Sequence, residues 1–143
     1  MGTLRGLVEQ HYANFGSGNV EADRANFSPD VETEIPGSET IKGFEAFKAF
    51  VGGWTTAFPD GGMKLLTAVE SGDTIIAEGL MTGTHTGPLV GPAGEIPPTG
   101  RKIEFKFADI FRTNDGKVVE HHVYFDQMAF LGQLGLIPAP TSA

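Results

Sequence analysis

The chain has 143 residues, room for one domain with a single core and too little for two ordinary ones. Hydrophobic residues make up 40% and charged residues 20%, a globular composition. A net charge of −8 argues against nucleic acid and anionic membrane surfaces as partners, and the lack of cysteine excludes a disulfide framework, a thiolate nucleophile and a cysteine-based metal site.

Glycine is abundant, with 20 residues, but follows no collagen period. Eleven phenylalanines imply a large apolar interior or cavity, because this ring has no polar handle. Met1 to Gln10 contains one Arg and no continuous apolar stretch, so no secretory signal is expected. No run approaches the ~18 apolar residues of a membrane span. These features lead us to expect a soluble cytoplasmic protein.

The spacing of Leu4, Leu7, Val8, His11, Tyr12 and Phe15 predicts a helix over 4–15, capped by Thr3 and stopped by Gly16 and Gly18. Asn19 to Phe27 is polar and suits a short second helix. Ser28-Pro29-Asp30 signals a turn, and Val31 to Ile35 alternates as a short strand ended by Pro36. Phe44, Phe47, Val51, Trp54 and Phe58 form one stripe of a helix over 44–58. Gly52 and Gly53 interrupt that helix, a pattern that fits close packing on another element better than a kink.

Strands follow. Met63 to Glu70, a tight turn at Gly72-Asp73, and Thr74 to Thr86 form a hairpin. Pro88 to Gly100 reads as a loop. Arg101 to Thr113 places Ile103, Phe105, Phe107, Asp109 and Phe111 on one face. Asn114-Asp115-Gly116 turns into a last strand, Lys117 to Asp126. A short helix over 127–134 ends at Gly135. The order predicts an α+β fold with a mainly antiparallel sheet. Strong twist would curl its long strands around a helix and leave a pocket. One domain is expected over 1–137, with a tail over 138–143.

The four histidines show no HExxH pattern, and His121 and His122 point to opposite faces of a strand, so no metal site is expected. Neither a GxSxG nucleophile elbow nor a phosphate-binding glycine loop is present. Acid–base chemistry remains. Asp126 sits at a strand end beside an apolar cavity, where desolvation raises a carboxyl pKa, but an Asp just before a helix is a preferred N-cap, the reading the local pattern favours. Asp109 is the odd member of an apolar face, either functional or paired with Arg112 or Arg101. Glu120 suits solvent or a cross-strand pair. His85, His121 and His122 are candidates to polarise an oxygen or return a proton, whereas His11 suits a satisfied core or pocket-wall role. Candidate substrate-binding residues are Tyr12 and Phe15, Trp54 and Phe58, Phe105, Phe107 and Asp109, with Arg101 and Tyr124.

The stretches Ala57-Phe58-Pro59-Asp60, Gly83-Thr84-His85-Thr86-Gly87, Pro98-Thr99-Gly100-Arg101, Asp109-Ile110-Phe111-Arg112, Gly116 to His121, Asp126 and Gln133-Leu134-Gly135 form an ordered set. With it the chain resembles the SnoaL-like polyketide cyclases of the nuclear-transport-factor-2-like and ketosteroid-isomerase-like superfamily. The resemblance implies a cone: a curved antiparallel sheet wrapped around a long N-terminal helix, with a pocket at its open end. It implies ring closure of a polyketide-type carbonyl substrate by intramolecular aldol condensation without metal or cofactor, and it puts the family's acid–base aspartate at Asp126. His122 stands where the family often has Trp. A homo-oligomer, dimer or tetramer, is also implied, and Val119, Val123 and Phe125 form a strand face that needs cover.

Two other readings follow from the same pocket. A double-bond isomerase or an epoxide hydrolase is one; the hydrolase would need Asp109 and Asp126 to share the pocket with Arg101 or Arg112 between them. A non-catalytic carrier of a hydrophobic ligand is the other, with Asp126 merely a cap and no polar group facing the pocket.

Overall fold

The computed structural model describes residues 3–91 and 94–138; most of the expected tail, 139–143, lies outside them. Helix α1 spans Thr3–Gly16 and is followed by a 3-10 turn, Val20–Ala25. Strands β1 (Phe27–Glu34) and β2 (Ile41–Lys42) precede helix α2 (Phe44–Ala57). The meander β3 (Gly62–Ser71), β4 (Thr74–Thr84), β7 (Lys102–Asn114) and β8 (Lys117–Phe125) forms the bulk of the sheet, and helix α3 (Gln127–Gln133) closes the described chain. Strands β5 (Leu89–Gly91) and β6 (Gly94–Ile96) form a separate two-stranded hairpin inside the segment expected to be a loop.

The six-stranded order is β2-β1-β8-β7-β4-β3, an α+β architecture with a curved, unclosed sheet, as the sequence predicts. Every pairing in it is antiparallel except β1 with β8, which is parallel. The chain reaches that partner only after the whole meander, and local pattern carries no signal for so distant a neighbour.

Two departures from the expected elements have local causes. Ser28-Pro29-Asp30 lies inside β1. The β1–β8 register shifts between Phe27 and Glu32, and a bulge is where a residue without an N–H is tolerated in a strand. On β8 a second bulge falls where Arg112 pairs with Glu120 but Thr113 pairs with Val118. Val119 is the extra residue and turns outward, 37% exposed, whereas Val118 is fully buried. The expected face of Val119, Val123 and Phe125 is therefore split.

Burial follows the two periodicities. On β7, Ile103, Phe107, Asp109, Phe111 and Thr113 are buried, in alternation with outward residues. On α2, Phe44, Phe47, Val51 and Ala57 form the buried stripe. Helix α1 packs on β3 and β4, α2 on β1, and α3 on β7. The Asp115-Gly116 turn takes φ 52° and 77°, the positive values that a two-residue hairpin matching strand twist requires. Gly52 and Gly53 do not mark a close contact: a Cβ at either would meet no atom within 4 Å, and α2 runs unbroken through both.

Candidate active site

Between the helices and the concave face of the sheet lies a small cavity of about 70 Å³. Phe15 of α1, Phe47 and Trp54 of α2, Phe105 and Phe107 of β7, and Phe125 of β8 give it an almost wholly apolar wall. Its polar groups are three: His11, Asp109 and His121. Ile35, Phe50, Trp54 and Phe125 also line an outer groove that continues past Pro36 and the β5–β6 hairpin.

Asp109 is 2% exposed. An ionised carboxylate at such depth is costly unless hydrogen-bonded, and both its oxygens are engaged. Tyr12 Oη donates to Oδ2 at 2.7 Å, and His121 Nε2 lies 3.0 Å from Oδ1. Burial, and then the Asp109 charge and its hydrogen bond, raise the Tyr12 pKa far above the usual phenol value, so the phenol stays a donor. The expected Arg112 or Arg101 partners are not the ones found. Arg112 pairs on the outer face with Glu120 at 3.0 Å. The Arg101 guanidinium lies against Gly135, where a Cβ would come within 2.8 Å of its Nε.

His121 is 3% exposed and lies flat on Phe111, ring centroids 4.4 Å apart. With Nε2–H given to Asp109, Nδ1 carries the lone pair, and this buried atom has no hydrogen-bond partner among the described residues. A second pair stands across from it. His11 Nδ1 is 2.7 Å from Asp23 Oδ2, and Asn14 Nδ2 donates to Asp23 Oδ1 at 2.7 Å. Asp23 is fully buried. The His11 and His121 rings meet edge to face at 5.9 Å.

Of the residues singled out in the sequence, Phe15, Trp54, Phe105, Phe107, Asp109 and His121 line the cavity, and Tyr12 reaches it through Asp109. The others lie elsewhere. Asp126 is exposed and caps α3, its Oδ1 accepting the Ala129 N–H at 2.9 Å. It borders neither cavity nor groove. His122 and Tyr124 are on the outer face, His122 Nε2 3.1 Å from Glu34 Oε2. Glu34, Glu120 and His122 place three potential metal-ligand atoms within 4.8 Å of one another, but Arg112 already holds Glu120 and nothing further marks an ion site. Val123 and Phe125 need no partner to cover them, since both face the cavity. Asp23 and its pairing with His11 escape sequence reasoning: Asp23 sits in a polar segment whose pattern gives no hint of complete burial.

His85 is also away from the cavity, fully buried beneath Phe58, ring centroids 5.3 Å apart. Its Nδ1 accepts the Thr99 N–H at 3.1 Å. Its backbone exchanges hydrogen bonds with Gly100 and Arg101, each 2.8 Å. The Gly83–Gly87 and Pro98–Arg101 motifs are thus one clip that anchors the base of the β5–β6 hairpin. Burial pushes the His85 pKa down, countered in part by the Gly87 backbone. Asp60 fastens the neighbouring turn by accepting the Thr84 N–H and hydroxyl, both at 2.7 Å. Gln133 pairs with both backbone groups of Glu104 at 2.8 Å, tying α3 to β7.

A family model for the SnoaL-like polyketide cyclases matches residues 6–134. The chain belongs to this family. Among solved structures, SnoaL-like relatives include a candidate polyketide cyclase from Jannaschia sp. CCS1, with TM-score 0.84, 21% identity and coverage of 95% of this chain and 94% of that one. TsrD from Streptomyces laurentii follows with TM-score 0.82, 26% identity and coverage of 94% and 96%. IdmH from Streptomyces antibioticus, described as a candidate polyketide cyclase, has TM-score 0.75, 29% identity and coverage of 92% and 97%. No curated protein matches the sequence. Among the described residues no helix of this SnoaL-like chain is long and apolar enough to cross a membrane.

Proposed function

We propose that this SnoaL-like protein enolises a hydrophobic carbonyl substrate by side-chain acid–base chemistry and closes a ring by intramolecular aldol condensation, with His121 as the base. One observation carries the reading: a buried imidazole in an apolar cavity, its Nε2 fixed by Asp109 and its Nδ1 unpartnered. Asp109, with both oxygens engaged, holds the tautomer and stabilises the imidazolium that forms. His121 Nδ1 takes a proton from carbon between two carbonyls, and the resulting enolate attacks a ketone of the same molecule. The apolar wall strengthens each of these electrostatic interactions by excluding water.

Two of the three alternatives have less support. Asp109 and Asp126 do not share the cavity, and neither Arg101 nor Arg112 stands between them, so the acid–base pair of an epoxide hydrolase is not assembled. The carrier reading finds its cap in Asp126, but the cavity lining includes His11, Asp109 and His121 rather than apolar residues alone.

The test is deuterium exchange at the methylene of ethyl 3-oxo-3-phenylpropanoate, followed by NMR in D2O. Acceleration over buffer is expected for the wild type, with a loss of ~10²–10⁴-fold in His121→Gln and the wild-type rate in Asp126→Asn. Loss of exchange in Asp126→Asn, with His121→Gln unaffected, transfers the role to Asp126.

Self-association belongs to the same proposal. Val69, 62% exposed, pairs with Ile76, 49% exposed, on the convex face of the sheet. Such an apolar face supports a homodimer or tetramer, and sedimentation as a monomer at micromolar concentration would rule it out.

A further inference from the structure

We propose that His11, held by Asp23, is a second catalytic residue, the acid that protonates the oxygen of the attacked ketone after His121 has taken the carbon proton. The inference rests on the enolisation reading above. It stands on two observations besides that reading. The first is the burial of an entire acid network that packing does not require. Asp23 is fully buried, 3% of His11 is exposed, and both Asp23 oxygens are used, by His11 Nδ1 and Asn14 Nδ2. An apolar pair of similar volume would be cheaper at such a depth. The second is position. Nδ1 is committed to Asp23, so Nε2 is the nitrogen left to a ligand, and His11 lines the same cavity as His121 with the two rings edge to face at 5.9 Å.

The cavity thus holds two Asp–His pairs, one delivered by α1 and the 3-10 turn, the other by β7 and β8. The charged and titratable groups around the two rings are Asp23, Asp109, Tyr12 and the rings themselves. In the forward step the C–H electron pair becomes the enolate and its proton goes to His121 Nδ1. The enolate carbon bonds to the ketone carbon, and the C=O π pair moves to oxygen. That oxygen receives the Nε2 proton of His11, which enters the step as the imidazolium with its Nδ1–H held by Asp23. One proton has entered and one has left the substrate, and transfer from His121 back to His11 resets the pair.

Cleavage of a β-hydroxy ketone runs the same step backwards: His11 takes the hydroxyl proton, the C–C bond breaks, and His121 protonates the enolate carbon. The probe is 4-hydroxy-4-(6-methoxynaphthalen-2-yl)butan-2-one, whose aldehyde product is fluorescent, measured beside exchange on the β-keto ester. His11→Gln is expected to lose ~10²-fold or more of the cleavage rate, with a markedly smaller loss in exchange. The wild-type cleavage profile should be bell-shaped in pH and lose one limb in this variant, a change that a merely structural role would not produce. Cleavage at the wild-type rate, or equal losses in both reactions, overturns the assignment. If His11→Gln does not fold, Asp23→Asn, which keeps the side-chain shape, is read by the same criteria; if neither folds, the pair is structural and the proposal falls. A wild type inactive in exchange refutes the enolisation reading, whereas one active in exchange but unable to cleave the hydroxy ketone refutes the His11 role alone.

Discussion

Asp109 reaches diagonally across the β7–β8 ladder to His121, whose direct partner in register is Phe111. The diagonal leaves the imidazole face to Phe111 and its edge to the carboxylate, fixing both ring plane and tautomer. Asp109→Asn keeps the shape but removes the charge that stabilises an imidazolium. The exchange rate is expected to fall by ~10²–10⁴-fold with the fold retained, and 15N chemical shifts of His121 should show the Nε2–H form in the wild type and a mixture in the variant. An unchanged rate would separate Asp109 from the chemistry.

Tyr12 links the same carboxylate to α1. Its pKa is raised in the fold, chiefly by burial, so the folded state holds the phenol proton more tightly than the unfolded state. This contribution is fully present below the unfolded value of 10.0 and is lost as pH rises above it. Urea midpoints should therefore decline above about pH 10. Tyr12→Phe should flatten that decline while lowering stability at neutral pH by about 1–3 kcal/mol, because Asp109 Oδ2 is left without a donor. An equally steep alkaline decline in the variant would assign it to other groups.

Asp109 was legible as the one acid on an apolar strand face because period-two alternation sorts β7 without tertiary information. Its partners were not: Tyr12 is 97 positions away in sequence, and no local pattern ties an α1 hydroxyl to β7. The meander, both long helices and the aromatic wall follow from periodicity. The parallel β1–β8 pairing, the Val119 bulge and the β5–β6 hairpin depend on long-range register and escape it. Asp126 shows the reverse case, in which the position implied by the resemblance and a helix-cap pattern coincide on one residue and the geometry displays the cap.

His85 supplies an acid-side prediction. Burial lowers its pKa in the fold, so the unfolded chain binds the proton more readily. Its contribution is present above the unfolded value of 6.5 and is lost as pH falls below it. Protonating Nδ1 also breaks the hydrogen bond from Thr99. Amide exchange at Thr99 and Gly100 should accelerate as pH drops from neutral toward 5, after correction for intrinsic rates, and His85→Asn should remove the dependence. Protection that stays constant across this range would show that the clip does not titrate.

The glycines of α2 and of the following loop should respond in opposite senses. Gly52 and Gly53 have open space where a Cβ would go, so Gly52→Ala and Gly53→Ala should each stabilise by about 0.5–1 kcal/mol, the helix-propensity difference. Gly87 has no such room: a Cβ there would overlap the Thr56 carbonyl oxygen. That oxygen is backbone near the end of α2 and cannot rotate aside. Relief would have to break the hydrogen bonds from Thr86 and Gly87 N–H to Ala57 O, both 3.1 Å. Gly87→Ala should therefore cost about 1–3 kcal/mol, and the loss should be local, showing first as faster amide exchange in the His85 clip. Urea unfolding of the three variants checks the signs; a stabilised Gly87→Ala, or destabilised alanines at 52 and 53, would contradict the packing described for this end of the cavity.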